Sequence, residues 1–438
     1  MVSRLSAHIL FLSLLLLNYE TIRAQHLPNT EVFSRWDLQK LMQPPQFRWE
    51  DDHSPIRRLL FEGEPLNGRK TEVFAYYSTP GILNGRSGFE TDLPAVVLLH
   101  GGGGTAFSEW VQMWAERGYA AIAMDLGGKR PKAPEFSDET RRISQHYDFQ
   151  REHRTRLKHA GPLDDLNNKI LNNDGDLTND WQFHAVAAAI RAHSLIGSFR
   201  ETDPNKTALT GISWGGYLTC LTASLDARFK AAVPVYGCGF LYDGESVQRQ
   251  AIERNTTAQQ KEWIRWNDPS QFLPHCRVPI FFVNGTNDKH YPVRSYSRSY
   301  ALVPGDKVIR IQAGMRHSHQ AGWAPAEIAR FIDQHVQDGA PLIRVMHTSM
   351  QERTFAAMVS EKQLPISAKL QYTIDHGPLV SRVWKTLEAT IKDNLVFAEV
   401  PEAATMWNLA ITDKLGGTIT TDVETGTNQP IKCRSLIK

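Results

Sequence analysis

The chain has 438 residues, long enough for two domains rather than one compact core. Its formal net charge is +2, with 41% hydrophobic and 22% charged residues; that is ordinary globular composition and gives nucleic-acid binding no electrostatic support. Four cysteines, Cys220, Cys238, Cys276 and Cys433, fit neither a zinc spacing nor a dense disulfide framework, and they single out no disulfide pair.

Taken in chain order, residues 1–24 come first. Arg4 precedes an apolar run, "ILFLSLLLL", over 9–17, and Ala24 offers a small residue for cleavage. This is the pattern of a secretory signal peptide, with a run too short to span a bilayer, and it predicts a secreted or periplasmic protein. A retained membrane anchor is the alternative reading. Residues 25–50 read as an irregular arm. "PIRRLLF" and "TEVFAYYSTP" predict a hairpin, with Asn67 and Gly68 as the turn signal. The unbroken apolar run Ala95 to Leu99 predicts a strand buried on both faces. "SEWVQMWAERG" predicts a helix with Ser108 as N-cap and Gly118 past its end, and "YAAIAMD" a second buried strand.

Residues 127–180 break this rhythm and read as a long excursion from the sheet. Within them "NNDGDLTND" is oxygen-rich, but its spacing differs from the helix-loop-helix calcium motif. A polar turn that ends in Asp180 as a helix cap is the competing reading. "DWQFHAVAAAIRAHSLI" predicts a helix, followed by a strand into "GISWGG", a helix over 215–224 and the strand "FKAAVPVYG". A second polar insertion spans 240–275 and carries Trp263 and Trp266, either a sugar-facing pair or core residues. Strand "VPIFFVNG", a helix near 293–302, strand "DKVIRIQ" and helix "APAEIARFIDQHV" complete the series. The alternation predicts an α/β domain over 25–338, a mostly parallel sheet with helices on both faces. At "QDGAP" (337–341) the texture changes to short alternating segments, which predict a β-sandwich-like domain over 340–438.

The chemistry gathers at the ends of the predicted strands. Ser213 lies between Gly211 and Gly215 where a buried strand runs directly into a helix. That is the context in which G-x-S-x-G holds a nucleophile on a sharp turn. Such a nucleophile needs donors for an oxyanion, and "HGGGG" (100–104) follows the strand Ala95–Leu99. The backbone amides of Gly102, Gly103 and Trp214 are the candidate oxyanion hole. Asp288, after "VPIFFVNG", and His317, after "DKVIRIQ", supply the acid and base in the order this architecture uses. His319 is the competing base, but it stands nearer the next helix. The chemistry requires no metal and no organic cofactor.

"GISWGGY" resembles the G-x-S-x-G-G-Y of the prolyl oligopeptidase and dienelactone hydrolase branches of the α/β-hydrolase superfamily, and "NGTNDKHYPV" resembles their G-x-x-D-x-x-x-P-V stretch. "HGGGGTAFSEW", "RGYAAIAMD" and "MRHSHQAGW", with the β-rich tail, are similar to secreted acetylxylan-esterase-like enzymes. The resemblance covers residues 55–337. It implies a serine esterase with Ser213, Asp288 and His317 as its triad, acting on an acylated polysaccharide such as xylan or on a small ester. Two readings stand beside it. One is a prolyl oligopeptidase-like peptidase using the same residues; the other is a carbohydrate-binding protein carrying an inactive hydrolase domain.

Overall fold

The computed structural model describes residues 30–426, apart from 87, 89, 146–147, 172–174 and 362. The export signal expected over 1–24, Cys433 and part of the oxygen-rich loop lie outside the described residues. Before the main sheet the arm is more ordered than its sequence suggests. A 3-10 turn Thr30–Arg35 and a short helix Leu38–Leu41 lead into strand β1, Phe47–Asp51. β1 then pairs antiparallel with β2, Arg57–Glu62, and β2 with β3, Glu72–Ser78. Asn67 and Gly68 both take positive φ (50° and 70°) between the reciprocally bonded Leu66 and Arg69, the backbone sense that matches strand twist in a tight hairpin turn.

Six strands form the parallel half of the sheet: β4, Leu93–Leu99; β5, Ala120–Met124; β8, Thr202–Ile212; β9, Ala231–Val235; β10, Ile280–Gly285; and β11, Lys307–Gln312. Between β5 and β8 the small hairpin β6 (Lys129–Pro131) and β7 (Arg154–Arg156) belongs to the excursion. The sheet order is β1-β2-β3-β5-β4-β8-β9-β10-β11, parallel from β5 to β11. Residues Ala95–Leu99 and Ala231–Val235 are buried throughout, as expected where helices cover both faces. The helices Ser108–Glu116, Trp181–Ile196, Trp214–Leu225 and Ala326–Val336 supply that cover.

Two expected caps differ. Ser108 is the first helical residue, behind Phe107, and its amide donates to Gln150 Oε1 at 3.0 Å. Asp180 does precede its helix but makes no capping bond, because its carboxylate pairs with Arg35 at 2.8 Å. The second insertion is helical, Val247–Ile252 and Thr257–Asn267, the latter opened by a reciprocal Thr256–Gln259 box.

The tail forms two antiparallel sheets. In one, β12 (Val345–Gln351), β13 (Thr354–Val359), β17 (Leu395–Glu399) and β16 (Thr390–Lys392) follow in that order. In the other, β15 (Lys385–Glu388), β14 (Pro365–Thr373), β18 (Met406–Asp413) and β19 (Thr418–Thr420) do, with β20 (Glu424–Thr425) also on β18. Leu370, Leu409, Ile411 and Val396 are buried in this region. The second sheet meets the exposed edge of β11. Gln371 takes the Ala313 amide on its carbonyl (3.1 Å) and gives its own amide to Ile311 O (3.2 Å), while Thr420 Oγ1 accepts from Ile311 N (3.1 Å). Side chains of the tail thus satisfy edge groups that another strand would otherwise claim.

Candidate active site

Parallel strands place their following loops on one rim of the sheet, and four such loops meet here. The turn after β8 carries Ser213 at φ 60° and ψ −117°, a conformation that side chains other than glycine rarely adopt. Its amide donates to Val235 O at 2.8 Å, and its carbonyl accepts from Tyr217 N at 2.9 Å, so both neighbours hold the turn. The flanking glycines are required by space. A Cβ on Gly211 would stand 2.2 Å from Gly215 O, and one on Gly215 would stand 2.0 Å from Leu99 O.

Ser213 Oγ donates to His317 Nε2 at 2.9 Å, and His317 Nδ1 donates to Asp288 Oδ2 at 2.6 Å. An ionised carboxylate only accepts, so this contact fixes which ring nitrogen carries the proton. The other carboxylate oxygen accepts from the amides of His290 (2.8 Å) and Tyr291 (2.9 Å), which orients a side chain that is 1% exposed. The His317 ring has two stacked aromatic neighbours, Tyr236 at 4.5 Å and Tyr291 at 6.1 Å, the latter only 6° from parallel. Tyr236 also donates its hydroxyl to Arg316 O at 2.6 Å, pinning the residue before the imidazole.

His319 is placed differently. Its Nε2 accepts the Gly101 amide at 3.0 Å, and burial, reinforced by His100 and His317, pulls its pKa down to about 3. A neutral ring is therefore built into the glycine loop. His100 plays a matching part. Its Nε2 accepts from Leu126 N (2.9 Å) and its Nδ1 donates to Gly101 O (2.7 Å), with burial lowering its pKa.

The glycine loop departs from expectation at one position. The Gly103 amide donates to Asp164 Oδ2 at 3.0 Å and so faces the excursion, not the serine. Gly102 and Trp214 remain: among the described residues neither amide has a hydrogen-bond partner. The excursion grips this loop from outside. Arg154 donates to the carbonyls of Gly103 (3.2 Å) and Gly104, and Asp164 lies 3.9 Å from the buried Lys169 ammonium and 3.7 Å from Lys129. Burial opposes the Asp164 carboxylate, but Lys169 first, then His100, Lys129 and the Gly103 amide, outweigh it and hold its pKa below the usual range.

With this strand order, this turn and this relay on one rim, the fold is decided. The chain has the α/β-hydrolase fold. Residues 175–337 of the chain match the prolyl oligopeptidase family. It is 22% identical over 274 residues to an uncharacterised peptidase, YuxL, of Bacillus subtilis, covering 56% of this chain and 35% of that protein. It is 21% identical over 249 residues to acetyl esterase Axe7A of Xylanibacter ruminicola, covering 55% of this chain and 51% of that protein. The chain thus spans between a third and about a half of the length of these curated relatives. Among solved structures, the acetyl xylan esterase of Paenibacillus sp. R4 aligns with a TM-score of 0.50 at 20% identity, covering 70% of this chain and 96% of that chain. This last likeness concerns the fold.

Several residues of the candidate site carried no sequence signal. Asp164, Arg154 and Lys169 come from a segment without periodicity. Asn287 precedes the acid, and its side-chain amide donates to the carbonyls of Leu379 (3.1 Å), Val380 (3.3 Å) and Arg382 (2.8 Å) in the tail. Trp263 is core: it is 4% exposed and its indole donates to Lys169 O at 2.8 Å. Cys220, Cys238 and Cys276 are buried free thiols.

The Ser-His-Asp pattern has a buried look-alike. Thr207 Oγ1 and Asp226 Oδ2 each contact His193, at 2.8 Å and 2.8 Å, but all three side chains are buried and Arg228 closes the carboxylate. Without access for a substrate this is a structural network.

Proposed function

We propose that the protein is a serine hydrolase that cleaves carboxylic esters through an acyl-enzyme. The observation that carries this reading is the continuous Ser213–His317–Asp288 relay on a strained turn whose serine is half-buried. Ser213 Oγ attacks the acyl carbon while His317 Nε2 takes its proton. Asp288 stabilises the imidazolium and keeps the ring oriented. The amides of Gly102 and Trp214 receive the oxyanion, a contribution that is typically worth ~10²–10³ in kcat for each donor. Collapse expels the alcohol, which leaves with the proton from His317. Water, deprotonated by the same imidazole, then releases the acid and restores Ser213.

For substrate, the proposal is an acyl group, acetyl first, on a plant or algal polysaccharide such as xylan. The acetyl esterase among the relatives supports it, as does the sequence of residues 1–24, which we read as an export signal that brings the enzyme to an extracellular or periplasmic polymer. The second reading is a peptidase, favoured by the family match and by the peptidase relative. Purified protein assayed side by side on acetylated xylan, feruloylated xylan, methyl-esterified uronic acids and proline-containing peptides separates them. Acetate release with no peptide cleavage supports the esterase; preferred cleavage of peptides overturns it.

A further inference from the structure

Lys169 has no part in the relay, yet it reaches the same loop. It lies on a single wide turn of π-helix, Asn167–Leu171, a geometry often found at functional sites. Its backbone is held on three sides: the carbonyl accepts from Gln182 Nε2 (2.7 Å) and Trp263 Nε1 (2.8 Å), and the amide donates to Asp165 O (3.1 Å). The side chain is 4% exposed. Its ammonium stands over the faces of Trp181 (4.5 Å) and Trp214 (5.0 Å). The nearest carboxylate oxygen, Asp164 Oδ2 at 3.9 Å, is beyond hydrogen-bond distance and already accepts the Gly103 amide. Among the described residues the ammonium has no hydrogen-bond acceptor.

Its position gives that unmet capacity a direction. A Cβ on Gly102 would stand 2.7 Å from Trp214 Cδ1 and 3.4 Å from Lys169 Nζ. The ammonium therefore stands directly beside Gly102, one of the two residues whose amides are assigned to the oxyanion, and over the ring of the other, Trp214. Resting on the acyl-enzyme reading, we propose that Lys169 is a third positive element of the oxyanion site, supplying a full charge to the tetrahedral intermediate beside the Gly102 and Trp214 dipoles. A neutral ester carbonyl draws little on a buried charge and an oxyanion draws strongly, so the benefit falls on the transition state. Burial makes the charge costly in the resting enzyme and pulls Lys169 down to about 8, against the support of Asp164 and Asp165.

The charged and titratable groups facing the ammonium are Asp164 and Asp165 of its own segment, Lys129 of β6 and His100 of the glycine loop. Lys169 is charged below its pKa, so its contribution is present at pH 7 and is lost as pH rises through about 8. The test uses the full chain with p-nitrophenyl acetate, and a fluorophosphonate that labels the serine counts active sites. Lys169→Met is expected to lose ~10–100-fold in kcat with KM little changed and Ser213 still labelled. Lys169→Arg, charged at all these pH values, is expected to keep most of kcat and to lose the fall above pH 8. An undiminished kcat in labelled Lys169→Met, or a fall that persists in Lys169→Arg, overturns the proposal. Should Lys169→Met fail to fold, the arginine variant decides alone. Absence of labelling in the unaltered protein would instead strike the acyl-enzyme reading.

Discussion

Ser213 is held by bonds on both sides of an unfavourable backbone conformation, which lifts its oxygen towards His317. Removing that oxygen leaves the turn intact, so Ser213→Ala is expected to retain the fold while hydrolysis of p-nitrophenyl acetate falls by ~10³-fold or more. Circular dichroism and initial rates check the two halves. The two histidines of "MRHSHQ" differ in what they touch. His317 bonds the serine and the carboxylate; His319 bonds only the Gly101 amide among the contacts described above. His317→Ala is expected to slow single-turnover acylation by at least ~100-fold, and His319→Ala by less, through a loosened loop. A larger loss in the His319 variant would reverse the assignment.

Among the elements, the buried strands and the helices between them were legible, because an apolar run and a helical period are local properties of sequence. So was the serine turn, whose glycines and flanking elements are adjacent in the chain. The grip on the glycine loop was not, since Arg154 and Asp164 lie 51 and 61 residues from the Gly103 they bond. Nor was the turning of the Gly103 amide towards Asp164, which is part of that grip. Spacing also fails to mark the His193 network, whose partners lie on β8 and beyond the helix Trp214–Leu225. His193→Ala removes a buried partner of Asp226. It is expected to lower stability by ~1–3 kcal/mol in urea unfolding and to leave kcat unchanged. Burial opposes the Asp226 carboxylate, but Arg228, then His193, overcome it and hold its pKa below the ordinary range. That stability is present above the unfolded pKa of about 4 and is lost as pH falls through the folded value.

For the whole molecule, the change of texture at 337–341 marks where one architecture gives way to another. It carries no trace of how closely the two sit. Gln371 and Thr420 cover the edge of β11, and Arg330 pairs with Asp413 at 2.7 Å across the boundary. A chain ending at 338 leaves that edge bare and is expected to aggregate, while the full chain unfolds in one transition. Size-exclusion chromatography and calorimetry report on each. Asn287→Ala, which frees the acid's loop from the tail, is expected to lower kcat more than stability. The Asn287 bonds reach 92 to 95 residues forward along the chain. A ribosome makes Ser213, Asp288 and His317 well before it makes the segment that steadies them. Newly synthesised chains are therefore expected to gain the proposed hydrolase activity only after the tail has docked, which a comparison of stalled and released chains checks.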